Sequence, residues 1–585
     1  MTGAIRTIAD YAGGPERSVA AAIHALAGAD TCPARGSDGP RGIWSEGELL
    51  PWPDAVRAAA TRIAALRELL ASSSSQGGAP PGGSPRPPHV GVLLPGVPEY
   101  LHLLAAAACS ELVVAGLNPT RRGEALARDA ALADCAVVLT DADHAPLLDA
   151  LDPGVPVVDV DSPEWTALLE RHAGAGLPDP ADVPVGPDDL VALVFTSGTS
   201  GDPKAVRITQ SKIAVPGRML AERFGIGADD CVYSAMPLFH SNAVMVAWPI
   251  ALFSGCSIAV RRRFSVSGWL DDVRRYRCTF ANYVGAPLSY VLATPERDDD
   301  ADNPMRVVYG NEAPPDVRRE FARRFGVTVV DGFGSSEGGV SVTRTPDTPE
   351  SALGPLPDGV RVVDVETGAE CPRAVFSDEG VLVNAHEAVG EMVADGPGLF
   401  AGYYNDPAAD ASRLRDGRFW SGDLAYVDAE GYVYFAGRSG GWMRVDGENL
   451  AAAPIERVLR RHPDVAEVGV YAVPAEVVRG PGAIGDDVAA AVVPRAGADA
   501  AAVDAGFAAG FAAGFAAGFG EFLAAQADLG PKQWPSLLRV TADLPRTASF
   551  KFRARDLTSL GAEPAGDRVF LRAPGTTVFE AHSPG

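Results

Sequence analysis

The chain has 585 residues, 47% of them hydrophobic and 21% charged, with a formal net charge of −25 at pH 7. That length exceeds one compact core and calls for about two to four domains of ordinary soluble, globular composition. The acidic surplus excludes a nonspecific grip on nucleic acid or anionic membrane, and an anionic ligand would need local basic patches.

Near the N-terminus, "VAAAIHALAGA" from Val19 has the apolar look of a secretory segment, but Asp10 and Glu16 precede it and His24 interrupts it. Ser72 to Pro88, "SSSSQGGAPPGGSPRPP", is a flexible linker by composition. After it, "HVGVLLPG", "EYLHLLAAAACS", "LVVAGLN" and "CAVVLTD" alternate strand and helix in a βαβ rhythm. His102, Ser110 and Glu111 make the apolar part of this run a poor membrane span, so a helix leading into a buried strand is expected. Seven cysteines (Cys32, Cys109, Cys135, Cys231, Cys256, Cys278 and Cys371) are scattered, odd in number and without a CxxC pair. They read as reduced thiols, and the chain is expected to be cytoplasmic.

The same rhythm returns from "CVYSAMPL" through "MRVVYG", "PDVRREFARRFG" and "VTVVDGFG", which predicts an α/β body of mainly parallel sheets. From about Glu379 the pattern becomes hairpin-like, in "GVLVN" and "GRFWSGDLAYVDAEGYVYFAGR", and predicts a β-rich subdomain. "PIERVLRRH", "VAEVGVYAV", "DDVAAAVVP" and "LLRVTADL" then make a small α+β unit, and a large body with a small cap suggests chemistry in a cleft. Within that unit, "GFAAGFAAGFAAGFG" (506–520) reads as a tandem expansion lengthening one helix, with Phe507, Phe511, Phe515 and Phe519 on one face. The repeat is expected to be dispensable.

Residues 195–204, "FTSGTSGDPK", follow the apolar run "LVALVF". A P-loop NTPase is excluded: Pro203 precedes Lys204 and lacks an N–H, and Ala205 cannot hold Mg²⁺. The hydroxyls of Thr196, Ser197, Thr199 and Ser200, with Gly198 and Gly201 for tight bending, still suit a polyphosphate. A plain surface loop has the same composition, and these ten residues do not separate the two. Downstream, "DGFGSSEGG" (331–339) sets Glu337 in a Gly/Ser-rich loop, where a carboxylate could take Mg²⁺. Asp423 follows a strand and turn, where its two oxygens could accept both ribose hydroxyls, and Arg438 ends the next strand. "LPRTASFKFRARDL" places Lys551 late in the small unit.

In order and spacing, these motifs resemble the adenylate-forming acyl-CoA synthetases, which share a fold with firefly luciferase and nonribosomal adenylation domains. The likeness runs from about His89 to Leu557. "PLFHSNA", "YGNEAPPDVRREFARRFG", "RVDGENLAAAPIE" and "ASFKFRARDL" are most similar to the fatty-acid-transport-protein and very-long-chain acyl-CoA synthetase branch. "GLNPTRRG" points within it to actinobacterial long-chain fatty-acid–CoA ligases of the FadD17 type.

The resemblance implies an ATP-dependent ligase that forms an acyl adenylate and passes the acyl group to coenzyme A, or alternatively to a carrier-protein thiol or an amine. It implies that Thr196 to Lys204 steer the β- and γ-phosphates. Gly310, Asn311 and Glu312 would line the adenine pocket beside Asp331, Gly332 and Phe333. Ser336 would bond the α-phosphate, Glu337 would bind Mg²⁺, and Asp423 and Arg438 would hold the ribose. Lys551 would bridge the substrate carboxylate and the α-phosphate. His240 would border the acyl and thiol tunnels, although a satisfied core histidine reads equally well. Tyr283, Gly285, Ala286, Gly338 and Gly339 imply a small, apolar acyl lining and hence a medium or long acid, sterol side-chain acids included. Arg261, Arg262, Arg263, Arg274, Arg275 and Arg277 are candidates for meeting the CoA phosphates, at least half of them reading better as a solvated face. The implied domains are an N-terminal segment and linker (1–88), an adenylation domain (89–438), a mobile cap (439–560) hinged at 439–441, and a tail (561–585). The hinge departs from the family in reading "SGG", which permits torsional swing but gives up side-chain contacts.

Overall fold

The computed structural model describes residues 18–27, 40–73, 87–152, 154–197, 203–285, 287–377, 382–438, 443–445, 448–450, 452–481, 483, 485–495, 505–526, 529–546 and 552–582. The chain folds as two compact units, the first of residues 1–339 and 397–412, the second of 340–396 and 413–585.

The first unit is α/β. One sheet runs in the order Val157–Asp159, Cys135–Thr140, His89–Leu93, Val113–Gly116, Leu190–Ser197, Pro203–Thr209. Its pairs are parallel except the last, a hairpin. His89–Leu93 and Val113–Gly116 are buried at every position, as continuous apolar runs flanked by helices require. A second sheet runs Thr328–Gly334, Val307–Asn311, Phe280–Val284, Cys231–Ser234, Ser257–Val260, Gly42–Ser45, Glu48–Pro51, again parallel until the final pair. The N-terminal segment is therefore part of this body. Gly42–Ser45 completes the sheet, Trp52 Nε1 donates to the Cys256 carbonyl at 3.0 Å, and the N–H groups of Val19 and Ala20 donate to Gln210 Oε1. The described cysteines are free thiols.

The second unit holds the hairpin-patterned stretch and the C-terminal residues. Its antiparallel sheet runs Gly354–Pro355, Tyr432–Arg438, Arg418–Val427, Gly390–Asp395, Val360–Val363. A five-stranded sheet follows: Val465–Pro474, Asp486–Pro494, Leu537–Val540, Arg568–Arg572, Phe579–Ala581. Residues expected to form a tail thus supply its last two strands, because "RVFLR" is apolar on both faces: Phe570 is buried in one core cluster, and Val569, with Leu571, in another. The expected hinge at 439–441 lies outside the described residues.

The tetrapeptide repeat forms a helix, Ala505–Ala524, as its spacing predicts. Phe515, Phe519 and Leu523 are buried, with the Phe519 ring 5.9 Å from that of Phe579 and the Phe515 ring 5.0 Å from that of His462. No helix among the described residues is long and apolar enough to cross a membrane. The glycines of the helix differ in kind. A Cβ on Gly520 would lie 1.6 Å from the Thr577 carbonyl oxygen, whereas one on Gly514 or Gly518 would meet nothing within 4 Å.

Gly514→Ala and Gly518→Ala should each stabilise the protein by up to ~1 kcal/mol in urea unfolding, since each removes backbone entropy without a clash. Gly520→Ala should destabilise it. Excising 510–517 removes two repeat units and brings Phe507 to the place of Phe515. A folded excision variant that had lost adenylation would refute the reading of the repeat as an expansion.

Candidate active site

The phosphate-loop sequence sits on a hairpin. Leu190–Ser197 pairs with Pro203–Thr209 in a register that sets Thr196 opposite Lys204 and Ser197 opposite Pro203. Gly198, Thr199, Ser200 and Gly201 lie outside the described residues. A distant segment runs alongside the second strand: the Tyr404 N–H donates to the Ala205 carbonyl at 2.7 Å, and the Arg207 N–H to the Gly402 carbonyl at 3.1 Å. This pairing carries in Tyr403, a buried residue that the sequence reading did not single out. Lys204 Nζ lies 5.2 Å from the centroid of its ring. Its hydroxyl donates to Glu337 Oε1 at 3.0 Å. Two residues 133 positions apart in sequence, Lys204 and Glu337, are thereby held by one aromatic side chain.

A second unforeseen residue stands behind Glu337. Lys212 is wholly buried in the first turn of the helix Gln210–Phe224, its Nζ donating to the Arg207 carbonyl at 3.3 Å. Burial pushes its pKa down to about 7, against the opposing attraction of the Glu337 carboxylate. Gly338 has φ +72°, a left-handed conformation that suits glycine, and a Cβ there would lie 3.3 Å from Lys212 Cε and 3.2 Å from Leu399 Cβ. A larger residue would press on the lysine.

The adenine candidates gather at the carboxyl ends of three adjacent parallel strands, where ligands of α/β sheets bind. Tyr283 is registered with Gly310, Gly310 with Asp331, and Val284 with Asn311. Gly310 has no room for a side chain: a Cβ would lie 2.1 Å from the Tyr283 carbonyl oxygen. On Gly332 it would lie 2.4 Å from the Tyr309 hydroxyl. Glu312 takes φ +70°, unusual for a non-glycine residue, and the Gly285 N–H donates to the Asn311 carbonyl at 2.9 Å. The Asn311 side-chain oxygen is buried without a hydrogen-bond partner among the described residues, which fits an acceptor reserved for an amino group such as that of adenine. Phe333 is half-buried on the same strand.

Tyr283, expected to line the acyl site, is 2% exposed and packs into the core, and its hydroxyl donates to Asp331. Burial first, and then the Asp331 charge, hold its pKa well above the usual phenol range. It supports the floor of the site in place of lining an open channel. A cavity of about 20 Å³ beside it, bounded by Tyr233, Met236, Phe264 and Trp269 among others, is far smaller than an acyl chain. Next to His240, whose ring lies 4.5 Å from that of Phe239, the Ser241 and Ser336 hydroxyls are 2.6 Å apart. Ser336 is thus brought to the residue that follows His240; Ala286 lies outside the described residues.

Much of the arginine run is committed elsewhere. Arg261 pairs with Asp272 at 2.8 Å, Arg262 with Asp141 at 3.1 Å and Arg274 with Asp299 at 3.2 Å, so these three serve folding before they serve CoA.

Within the second unit, Asp423 and Arg438 are direct cross-strand partners. Asp423 is 3% exposed, and its N–H donates to Ser421 Oγ at 3.0 Å. Glu391 accepts the Gly422 N–H at 2.6 Å; burial raises its pKa, and the nearby Asp423 charge adds to the rise. Lys551 lies outside the described residues.

The described residues contain no group of three or more His, Cys, Asp or Glu side chains able to cage a metal. A single carboxylate, Glu337, instead fits Mg²⁺ drawing its other ligands from phosphates and water.

Residues 83–404 match the family described as AMP-binding enzyme. The medium/long-chain-fatty-acid–CoA ligase FadD17 of Mycobacterium marinum is 50% identical over 533 residues, 91% of this chain and 95% of that protein. The steroid-22-oyl-CoA synthetase of Rhodococcus jostii is 43% identical over 513 residues, 86% of each chain. Among solved structures, ATP-bound MatB from Rhodopseudomonas palustris is similar in fold, with a TM-score of 0.73 over 93% of this chain and 98% of that one at 24% identity. The chain therefore belongs to the AMP-binding enzyme family, and its likeness within that family is to acid–thiol ligases.

Proposed function

We propose that this chain is an ATP-dependent acyl-CoA synthetase for medium- or long-chain carboxylic acids, the carboxylated side chains of sterols included. It would join the acid to AMP, release pyrophosphate, and then pass the acyl group to the thiol of coenzyme A. The observation that carries this reading is the meeting of Lys204 and Glu337 on Tyr403. The substrate class follows the activities for which the FadD17 and steroid-22-oyl-CoA synthetase relatives are named.

The chemistry asks for cations at stated places, because a carboxylate and ATP repel each other. Lys204 would draw the β- and γ-phosphates, and Lys551 would neutralise charge shared between the attacking carboxylate and the α-phosphate. Ser336, its hydroxyl 2.6 Å from that of Ser241, would bond the α-phosphate. Asn311 would accept the adenine amino group through its buried oxygen. Gly310 and Gly332 would line the adenine pocket, each packed too closely against a tyrosine to carry a side chain. Asp423 would accept the ribose hydroxyls, with Arg438 opposite it on the ladder. Glu337 would hold Mg²⁺, which when bound supplies further neutralisation of the phosphates. Gly285 and Gly338 would flank the acyl chain, and His240 the thiol path. In the second step the small C-terminal region would withdraw Lys551 and present another face, starting at "GWMRVDGEN".

Two outcomes test this. ATP–pyrophosphate exchange should be faster with octanoate and longer acids than with acetate or a dicarboxylate; the reverse order would overturn the substrate class. Lys551→Ala should lose ~10²–10³ in acyl-AMP formation. It should still convert synthetic acyl-AMP and CoA to acyl-CoA at nearly the parent rate. Equal loss in both assays would make Lys551 a structural residue.

A further inference from the structure

Resting on the adenylation reading above, we infer that Tyr403 is a positioning residue for the triphosphate end of the site, holding Lys204 with its ring face and Glu337 with its hydroxyl. Neither contact is incidental to a mobile side chain. The residue is 2% exposed, and its backbone is pinned on two sides. Its own N–H donates to Asp410 Oδ1 at 2.6 Å, and it forms an antiparallel bridge with Val206. Flanking hydrogen bonds join Gly402 to Arg207 and Tyr404 to Ala205. Gly402 is required at φ +91°, where a Cβ would lie 2.9 Å from Asp410 Oδ2. The ring edge against Phe400, 5.2 Å between centroids, sets its rotation.

The chemistry explains why one tyrosine serves both residues. An ammonium is attracted to the negative face of an aromatic ring, whereas a carboxylate needs a donor, which the phenol offers at the ring's far end. Tyr403 can therefore orient two groups of opposite sign without being charged itself. A lysine or an aspartate in its place would satisfy one and repel the other. The buried Lys212 also attracts the Glu337 carboxylate, so loss of the hydroxyl should loosen it without freeing it entirely.

The two functions separate by substitution. Tyr403→Phe keeps the ring under Lys204 and deletes the hydroxyl; Tyr403→Leu deletes both. Binding of ATP to the full-length chain would be measured by calorimetry in EDTA and across a Mg²⁺ titration, alongside pyrophosphate exchange. For Tyr403→Phe, ATP binding in EDTA should match the parent, while the Mg²⁺ concentration that half-saturates the gain in affinity rises about tenfold. The same rise should appear in the exchange assay. For Tyr403→Leu, binding in EDTA should also weaken, by about three- to tenfold. Tyr403→Phe with unchanged Mg²⁺ dependence would overturn the proposal, and so would equal losses in EDTA for both variants. If Tyr403→Leu does not fold, Tyr403→Phe, which keeps the packing, decides alone. Absence of exchange with every acid, with Mg²⁺-dependent ATP binding intact, would count against the adenylation reading and leave the calorimetric comparison to judge Tyr403.

Discussion

The site depends on one backbone pairing. Residues 402–404 lie against 205–207, and this short stretch brings three remote parts of the chain into one cluster: the hairpin after "LVALVF", the Gly/Ser-rich loop around Glu337, and the "GYYND" segment. Without it, Lys204 would be one exposed amine at a hairpin end and Glu337 one carboxylate in a loop. With it, both are fixed relative to each other before any ligand arrives. Preorganisation of this kind is what electrostatic catalysis needs, because reorienting charged groups during the reaction would consume the stabilisation they provide.

The same pairing allows a lysine to be buried. Lys212 has no exposed surface, and an ammonium there would be costly without compensation. The Arg207 carbonyl accepts from it, and the Glu337 carboxylate opposes the depression of its pKa. The left-handed turn at Gly338 leaves room for its ε-carbon. Gly338, a candidate for the acyl lining, therefore has a packing duty toward a buried cation.

Legibility in the sequence followed the range of the physics. The βαβ rhythm, the hairpin region and the helix of the repeat were readable because hydrophobic period and turn chemistry are local. Lys204, Glu337 and Asp423 could be singled out as candidates, since each sits in a motif of distinctive composition. Tyr403 was not, because "GYYND" reads as an ordinary turn and its value comes from pairing with residues some 200 positions earlier. Lys212 was hidden for the opposite reason: a lone lysine in the first turn of an amphipathic helix normally faces water. Tyr283 stood out as a candidate in the sequence, but its direction was not legible. Register alone sets it beside Gly310 and turns its hydroxyl to Asp331. The last two strands were missed because "RVFLR" follows a turn-rich stretch and joins the sheet through a strand some 30 residues earlier, with Phe579–Ala581 added on its other side.

Charge distribution links these local findings to the chain as a whole. A net charge of −25 makes the surroundings of the site repel ATP and a fatty acid alike. Three arginines of the 261–277 run do little to relieve this, since Arg261, Arg262 and Arg274 are spent on Asp272, Asp141 and Asp299. On the proposed reading the attraction would come from Lys204 and from Mg²⁺ held by Glu337. An aromatic ring is then a better partner for Lys204 than an acid would be. It orients the ammonium without cancelling its charge, and an ion pair there would leave an already acidic protein with less to offer a triphosphate.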